Sequence, residues 1–170
     1  MQEACDATPS GMISILGLER DKVAQACAGL ADIANLNSPG QIVISGESKA
    51  LEAAVTKCKE AGAKRAIPLK VAGAYHSRVT KPAQEKMQHE LATVKISRPR
   101  IPVIANVNAK PLTDPEEIRT ALVTQICGSV LWEDSIRAIG AQKYFEFGPG
   151  RVLAGLIRKI DEKAEVESIE

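Results

Sequence analysis

Aromatic residues are scarce in this chain: phenylalanine, tryptophan and tyrosine together make up 3% of its 170 residues. Surfaces that bind single-stranded nucleic acid stack bases on several aromatic side chains, so this composition argues against such a surface. The charges are also balanced, because 22 lysines and arginines stand against 21 aspartates and glutamates. We therefore expect no nucleic-acid partner and no general attraction to anionic membranes.

Long apolar runs and cysteine motifs are missing as well. No run approaches the roughly 20 apolar residues that cross a bilayer, and the amino terminus lacks a secretory signal pattern. We therefore expect a cytoplasmic chain without a membrane partner. The four cysteines form no C-x-x-C pair and are typical of reduced structural thiols: Cys5, Cys27, Cys58 and Cys127. The two histidines, His76 and His89, have no cysteine or carboxylate cluster around them, so we expect no metal site.

Apolar residues make up 45% of the chain, which is enough for a substantial core. Their spacing in the first part predicts the element order βαββαβ. The strands are expected at 12–16, 33–36, 41–46 and 66–71, and the helices at 23–30 and 51–58. The simplest closed form of this order is a ferredoxin-like antiparallel sheet with both helices on one face. We place this subdomain at residues 11–72, after a lead-in at residues 1–10.

The second part of the chain has a different pattern. Two nearly continuous apolar runs, at 101–107 and 144–147, are typical of strands that are buried on both faces of a parallel sheet. Helices are expected at 79–94 with Thr80 as a cap, at 114–125, at 132–139 and at 152–160. An acidic, frayed tail is expected at 162–170. The chain is therefore α/β, and α+β in part.

Two apolar strands are too few to make a stable sheet that is covered on both faces. We therefore expect residues 73–161 to be part of a larger α/β sheet whose other strands lie outside this chain. The apolar edge at 101–107 should then be exposed or covered by another copy of the chain.

The stretch Gly73-Ala74-Tyr75-His76-Ser77 holds one of the two histidines, in a glycine-containing turn after the fourth strand. Histidine takes and returns protons near neutral pH, which suits a general base. A turn histidine with satisfied ring nitrogens is an equally simple interpretation. The turn alone leaves both interpretations open.

Several motifs in order resemble the malonyl-CoA:acyl carrier protein transacylases of fatty acid synthesis and the related acyltransferase domains of polyketide synthases. These motifs are Asn-Leu-Asn-Ser-Pro-Gly-Gln at 35–41, Ile-Ser-Gly at 44–46, Ala-Gly-Ala-Lys-Arg-Ala-Ile-Pro-Leu at 61–69, the histidine stretch at 73–77, the apolar run at 103–107, and Phe-Gly-Pro-Gly-Arg-Val-Leu-Ala-Gly-Leu at 147–156. The resemblance implies a ferredoxin-like subdomain inserted in an α/β-hydrolase-like one. It makes residues 73–161 the carboxy-terminal part of that second subdomain, and residues 1–10 a lead-in from a missing half.

The reaction that the resemblance implies is a transfer in two steps. A serine takes malonyl from coenzyme A, and the thiol of the phosphopantetheine arm of acyl carrier protein then takes it from the serine. No cofactor is bound, because the coenzyme A thioester and the phosphopantetheine arm are substrates. The resemblance makes His76 the general base, oriented by the main-chain carbonyl of Gln125, and assigns substrate contacts to Tyr75, Met1 and Asn37. Tyr75 stands where malonyl-using members usually carry phenylalanine.

The chain has a larger departure from the family pattern. The Gly-His-Ser-Leu-Gly elbow that holds the nucleophile and the early Gly-Gln-Gly motif are both absent. The family arginine that binds the malonyl carboxylate comes a few residues before the position of Met1. We therefore expect the chain to be inactive alone and to act with a missing amino-terminal half or with another copy.

We expect five basic residues to form a docking surface for the acidic carrier protein. They are Lys64, Arg65, Lys70, Arg78 and Lys81. Two alternatives stay open at this point. The chain could be a non-catalytic, ferredoxin-like module for carrier docking or regulation, or it could be part of a polyketide synthase acyltransferase.

Overall fold

The computed structural model describes all residues from Met1 to Glu170. Its helices are α1 (Gln2–Asp6), α2 (Arg20–Cys27), α3 (Ser48–Glu60), α4 (Lys81–Leu91), α5 (Pro115–Thr124), α6 (Trp132–Ile139) and α7 (Val152–Ile160). Its strands are β1 (Ser10–Leu16), β2 (Asp32–Ser38), β3 (Gln41–Glu47), β4 (Arg65–Pro68), β5 (Val103–Ile104), β6 (Pro111–Leu112), β7 (Lys143–Phe147) and β8 (Glu165–Ile169). The predicted order βαββαβ is present from β1 to β4. None of the helices has the length and apolar character needed to span a bilayer.

The first four strands form one antiparallel sheet in the order β2-β3-β1-β4. Ile15 of β1 and Ile44 of β3 point to the same face, where α2 and α3 cover them with Val23, Ala54 and Cys58. All five of these residues are almost fully buried. The alternation of apolar residues along the strands therefore sets which face carries the main core.

The opposite face of this sheet carries a smaller core. Met12, Ala34 and Val43 are buried there, and the half-buried ring of Tyr75 packs against them. The residue that follows Tyr75 is His76, so this contact places the histidine stretch directly on the sheet.

The predicted strand at 101–107 is wrong for most of its length. Only Val103–Ile104 is extended, and it pairs antiparallel with Pro111–Leu112. The chain turns at Ala105, whose carbonyl accepts from the backbone N–H of Ala109 at 2.9 Å. Ala109 is left-handed there, with a φ of 54°. The expected exposure of this edge is confirmed, because Ile101 is 76% exposed and Val103 is 54% exposed.

The predicted frayed tail at 162–170 is also wrong, because Glu165–Ile169 forms β8, parallel to β7. Val166 packs beside a small core of Ile136, Ile157 and Ala164. The glutamates of β8 point outward and alternate with the half-buried Val166 and Ser168. The segment therefore has the alternating pattern of a strand, although its composition is acidic. A strand at 144–147 and its parallel pairing are therefore confirmed, but β7 pairs only with β8, and the predicted burial on both faces is not found in this chain because Phe145 is 52% exposed and Phe147 is 77% exposed.

An extended segment after α5 lies along the edge strand β2. The N–H of Val130 donates to the carbonyl of Ala34 at 2.8 Å, and the N–H of Leu36 donates to the carbonyl of Val130 at 2.9 Å. These bonds hold the end of α5 beside the sheet, close to the histidine stretch. Asp114 fixes the other end of α5, since its side chain accepts from the N–H groups of Glu116 and Glu117, as the sequence predicts.

Candidate functional site

The histidine turn, which we define as residues 73–77, is held by side chains from the turn itself and from β1. The N–H of Ala74 donates to Oγ of Ser10 at 3.2 Å, and Oγ of the fully buried Ser77 donates to the carbonyl of Ala74 at 2.7 Å. A Cβ on Gly73 would lie 2.5 Å from Sγ of Cys5, so the close approach to α1 requires glycine there. These contacts leave the turn little freedom.

His76 itself has a left-handed backbone with a φ of 54°. This region is uncommon for residues other than glycine, and holding such a residue there costs about 1 kcal/mol or more. The fixed neighbours on both sides of His76 maintain the conformation. Backbone strain of this kind is often found at functional sites.

The imidazole of His76 is held through one nitrogen. Nδ1 lies 3.0 Å from the main-chain oxygen of Gln125 and 3.1 Å from that of Gly128. Both partners are acceptors, so the network assigns the proton of the neutral ring to Nδ1. Nε2 then carries the lone pair, and it makes no hydrogen bond within the chain. The half-buried ring is therefore arranged to accept a proton at Nε2.

The acceptors belong to what we call the carbonyl loop, residues 125–129, which follows α5. Oγ of Ser129 donates to the carbonyl of Ile33 on β2, and Oγ1 of Thr80 donates to the carbonyl of Ile126 at 2.8 Å. A Cβ on Gly128 would lie 2.6 Å from Cγ2 of Val107, so the loop packs against that segment at glycine distance. The loop is thus fixed from three directions.

Arg78, two residues after His76, forms an ion pair with Asp32 of β2. Oδ2 of Asp32 accepts from the backbone N–H of Arg78 at 2.8 Å and from its Nε at 3.0 Å. Burial alone would raise the pKa of Asp32, but the hydrogen bonds and the charge of Arg78 outweigh it and lower that pKa below its ordinary value. The pair ties the end of the histidine turn to β2.

The residues expected to contact substrate lie in three different settings. Tyr75 packs on the sheet beside His76. Met1 is 45% exposed. It lines a cleft of about 440 Å³ together with Val79, which closely follows the histidine turn, and Ile126, which belongs to the loop after α5. Asn37 lies near the end of β2 and makes no side-chain hydrogen bond to the histidine turn. The structure thus brings Tyr75 and Met1 towards the site and does not bring Asn37 there.

The five basic residues do not form one cluster. The N–H of Lys64 donates to the carbonyl of Leu16 at one end of β1, where Leu16 also pairs with Arg65. The N–H of Leu69, the residue before Lys70, donates to the carbonyl of Met12 near the other end. A strand of this length separates its ends by about 20 Å. Arg78 and Lys81 line one cleft with Gly128. Lys70, Arg78 and Lys81 therefore lie at the histidine end of the sheet, and Lys64 and Arg65 lie at the opposite end.

Three parts of the site were not found from the sequence: the second acceptor Gly128, the anchor Asp32, and the role of Thr80. Each acts across a large sequence separation, and no local motif signals it. The prediction that Thr80 caps α4 is wrong, because its hydroxyl makes no hydrogen bond to the first turn of that helix. No three histidine, cysteine, aspartate or glutamate side chains come together as a metal site would need.

Comparison with known proteins identifies the family of the chain. Residues 2–147 match the acyl transferase domain family. The malonyl CoA-acyl carrier protein transacylase of Salmonella typhimurium is 44% identical over 168 residues, which cover 94% of this chain and 54% of that protein. The corresponding protein of Bacillus subtilis is 39% identical, with 99% of this chain and 56% of that protein covered.

Solved structures give the same result. An acyl carrier protein S-malonyltransferase from Vibrio cholerae superposes with a TM-score of 0.95 at 40% identity, covering 100% of this chain and 58% of that one. A malonyl-transacylase in complex with a type II polyketide synthase acyl carrier protein superposes with a TM-score of 0.92 at 35% identity, covering 98% and 58%. The chain spans about half the length of the curated relatives that it matches. It belongs to the acyltransferase family of the malonyl CoA-acyl carrier protein transacylases.

Proposed function

We propose that the chain supplies the general base of an enzyme that transfers malonyl from coenzyme A to the phosphopantetheine thiol of acyl carrier protein in fatty acid synthesis. The observation that carries the proposal is the imidazole of His76, with Nδ1 bonded to the carbonyls of Gln125 and Gly128 and Nε2 without a partner. Family membership supplies the reaction. The hydrogen-bonding pattern supplies the role.

The chemistry follows from this arrangement. Nε2 of His76 takes the proton from a serine hydroxyl as the oxygen attacks the malonyl thioester carbonyl, and the imidazolium then returns the proton to the departing thiolate of coenzyme A. The phosphopantetheine thiol is deprotonated by the same nitrogen in the second step, and the serine hydroxyl is restored. The two carbonyl dipoles at Nδ1 favour the transient imidazolium, in place of the carboxylate of a serine protease triad.

In this proposal the serine, the oxyanion donors and the carboxylate anchor come from residues outside this chain. Two observations support such a source, and the first of them favours an amino-terminal half over another copy. The relatives are nearly twice as long, and large apolar side chains at the second part of this chain are exposed, with Phe147 at 77% and Val152 at 72%. In this proposal β1 to β4 form a ferredoxin-like subdomain, residues 73–161 belong to an α/β-hydrolase-like subdomain, and the chain alone is inactive.

The carrier protein is proposed to approach the histidine end of the sheet. Arg78 and Lys81 flank the cleft beside the carbonyl loop, and their charge suits an acidic partner. A second carrier class is favoured by one observation, the structural relative that is bound to a type II polyketide synthase carrier protein. Tyr75 is proposed to limit the width of the acyl site and so to favour malonyl over branched acyl groups.

A single-turnover assay tests the proposal. The chain is joined to the amino-terminal half of a full-length relative, and transfer from radiolabelled malonyl-CoA to fatty-acid-synthesis acyl carrier protein is followed, with the separate chain as comparison. We expect transfer only by the complete protein, and loss of transfer on His76→Asn. A complete, folded protein without transfer would overturn the proposal, and carrier binding without chemistry would favour the docking module.

A further inference from the structure

We infer that Thr80 is a positioning residue, whose hydroxyl holds the carbonyl loop at the distance from the histidine turn that His76 needs. The kinetic consequence of this inference rests on the proposed function, whereas the structural consequence does not. Thr80 lies four residues after His76, in a 3₁₀ turn at Arg78–Thr80 that leads into α4.

The contacts of the Thr80 hydroxyl connect the two halves of the site. Oγ1 lies 2.8 Å from the main-chain oxygen of Ser77 and 2.8 Å from that of Ile126. Ser77 follows His76, and Ile126 follows Gln125. The Thr80 hydroxyl thus lies between the residue next to His76 and the residue next to Gln125. His76 and Gln125 are themselves joined by the hydrogen bond at Nδ1.

The hydroxyl of Thr80 is shielded from solvent. Thr80 is 0% exposed, and Ile126 is 7% exposed. Sγ of Cys127 lies 3.6 Å from Oγ1 and is its remaining polar neighbour. Without the hydroxyl, the carbonyl of Ile126 would be buried without a side-chain donor, which is unfavourable enough to shift the backbone.

A shift of the loop would act directly on the imidazole. The carbonyls of Gln125 and Gly128 lie on either side of Ile126 in the chain, and both accept from Nδ1. If they move away, the proton is no longer held at Nδ1, and the tautomer with the proton on Nε2 gains population. That tautomer cannot accept a proton at Nε2.

The direct test uses the chain itself, with nitrogen-15 NMR of the His76 ring at a pH where it is neutral. Wild type should show the Nδ1–H tautomer. Thr80→Val removes the hydroxyl with little change of shape, and we expect it to raise the share of the Nε2–H tautomer, while Thr80→Ser should restore the wild-type spectrum. Ser135→Ala is the matched control, because it removes another buried hydroxyl, which bonds at 2.8 Å to the carbonyl of Leu131 at the start of α6 and makes no hydrogen bond to the histidine turn or the carbonyl loop. It should leave the spectrum of His76 unchanged.

The second test uses the complete enzyme described above. Thr80→Val should lower kcat for malonyl transfer about tenfold to a hundredfold with little change in KM for malonyl-CoA, and Thr80→Ser should restore it. Unchanged tautomer populations in a folded Thr80→Val chain would overturn the inference, as would a loss of stability without any change at His76. If wild type transfers no malonyl, the proposed function fails, and the NMR comparison still decides the role of Thr80.

A second variant keeps the inference testable if Thr80→Val does not fold. Thr80→Ala removes the same hydroxyl with a smaller side chain, and it is expected to give the same tautomer change. Equal spectra for Thr80→Ala, Thr80→Ser and wild type would overturn the inference.

Discussion

Gly128 approaches Val107 so closely that a Cβ on Gly128 would lie 2.6 Å from Cγ2 of Val107. The same Cβ would lie 3.0 Å from the main-chain oxygen of Thr124. Neither neighbour can be avoided without moving the loop, and the loop carries both acceptors of the His76 imidazole. The packing of the loop and the hydrogen bonds of the His76 imidazole are therefore coupled at this one glycine.

Gly128→Ala is expected to displace the carbonyl loop. In the complete enzyme the rate of malonyl transfer should fall about a hundredfold, because the histidine loses its orientation. Gly155→Ala is a suitable control, since Gly155 lies in α7 with no atom within 4 Å of the added Cβ. It should stabilise the chain by about 0.5 kcal/mol in thermal unfolding. Equal activity of the two variants would contradict the coupling.

His76→Asn separates the role of the imidazole from that of the backbone. Asparagine tolerates the left-handed conformation, so the fold should be retained. Transfer by the complete enzyme should fall about 10²- to 10⁴-fold in a single-turnover assay, because no base remains. His89→Asn changes an exposed histidine on α4 and should have no effect. A comparable loss in both variants would count against a specific role of His76.

The pair of Asp32 and Arg78 should make the stability of the chain depend on pH in the acid range. The folded-state pKa of Asp32 is lowered, so its contribution is complete above the unfolded pKa of about 4 and is lost as the pH falls through the folded value. Asp32→Asn should destabilise the chain by about 1 kcal/mol at neutral pH, a modest amount because Arg78 is largely exposed. Urea unfolding between about pH 2 and pH 7 measures this difference.

A double-mutant cycle provides the control for this prediction. Arg78→Met should also reduce the loss of stability in acid, but by less than Asp32→Asn does, because the backbone N–H of residue 78 still donates to Asp32. The double variant should behave like Asp32→Asn. Additive effects of the two substitutions would show that the residues act independently.

The four thiols should differ in reactivity. Burial raises the pKa of Cys27 to about 12, with the neighbouring Cys58 thiol as a further cause, and burial also raises the pKa of Cys58 and of Cys5. Cys127 is only partly buried. Iodoacetamide at pH 8 should therefore label Cys127 first, as measured by peptide mass spectrometry, and denaturant should expose all four. Equal labelling rates in the native chain would contradict this order.

Removal of residues 162–170 should destabilise the second part of the chain. The truncation deletes β8, the buried Ala164, and the Ser168 hydroxyl that donates to Glu146 at 3.0 Å. We expect a loss of about 2 kcal/mol or more in thermal or urea unfolding. A chain that lacks only the exposed Glu170 should unfold like wild type. If both chains unfold alike, β8 contributes no stability.

Local pattern was enough for the elements whose signals lie within a few residues. The alternation around Ile15 and Ile44 predicts the strands of the first sheet, and Asp114 followed by proline predicts the start of α5. The motif around His76 pointed to a general base through its resemblance to a known family, and it placed the orienting carbonyl at Gln125, where the structure has it.

The errors in the sequence interpretation have physical causes. The run at 101–107 is apolar although Ile101 and Val103 are exposed in this chain, and the turn at Ala105 is not visible in composition. The acidic residues of the carboxy-terminal segment concealed β8, because only every second side chain is directed to the core. The grouping of Lys64 with Arg78 assumed that neighbours in sequence are neighbours in space.

The sequence by itself determined the order of elements from β1 to β4, the face of the first sheet that carries the main core, and, through family motifs, the histidine to which the chemistry is assigned. Only the tertiary structure decided how that histidine is held. The bonds from His76 to Gly128, from Arg78 to Asp32 and from Thr80 to Ile126 each join segments that are distant in the chain, and local propensities do not encode them. Such contacts arise from packing of the whole fold, which is why no single stretch predicts them.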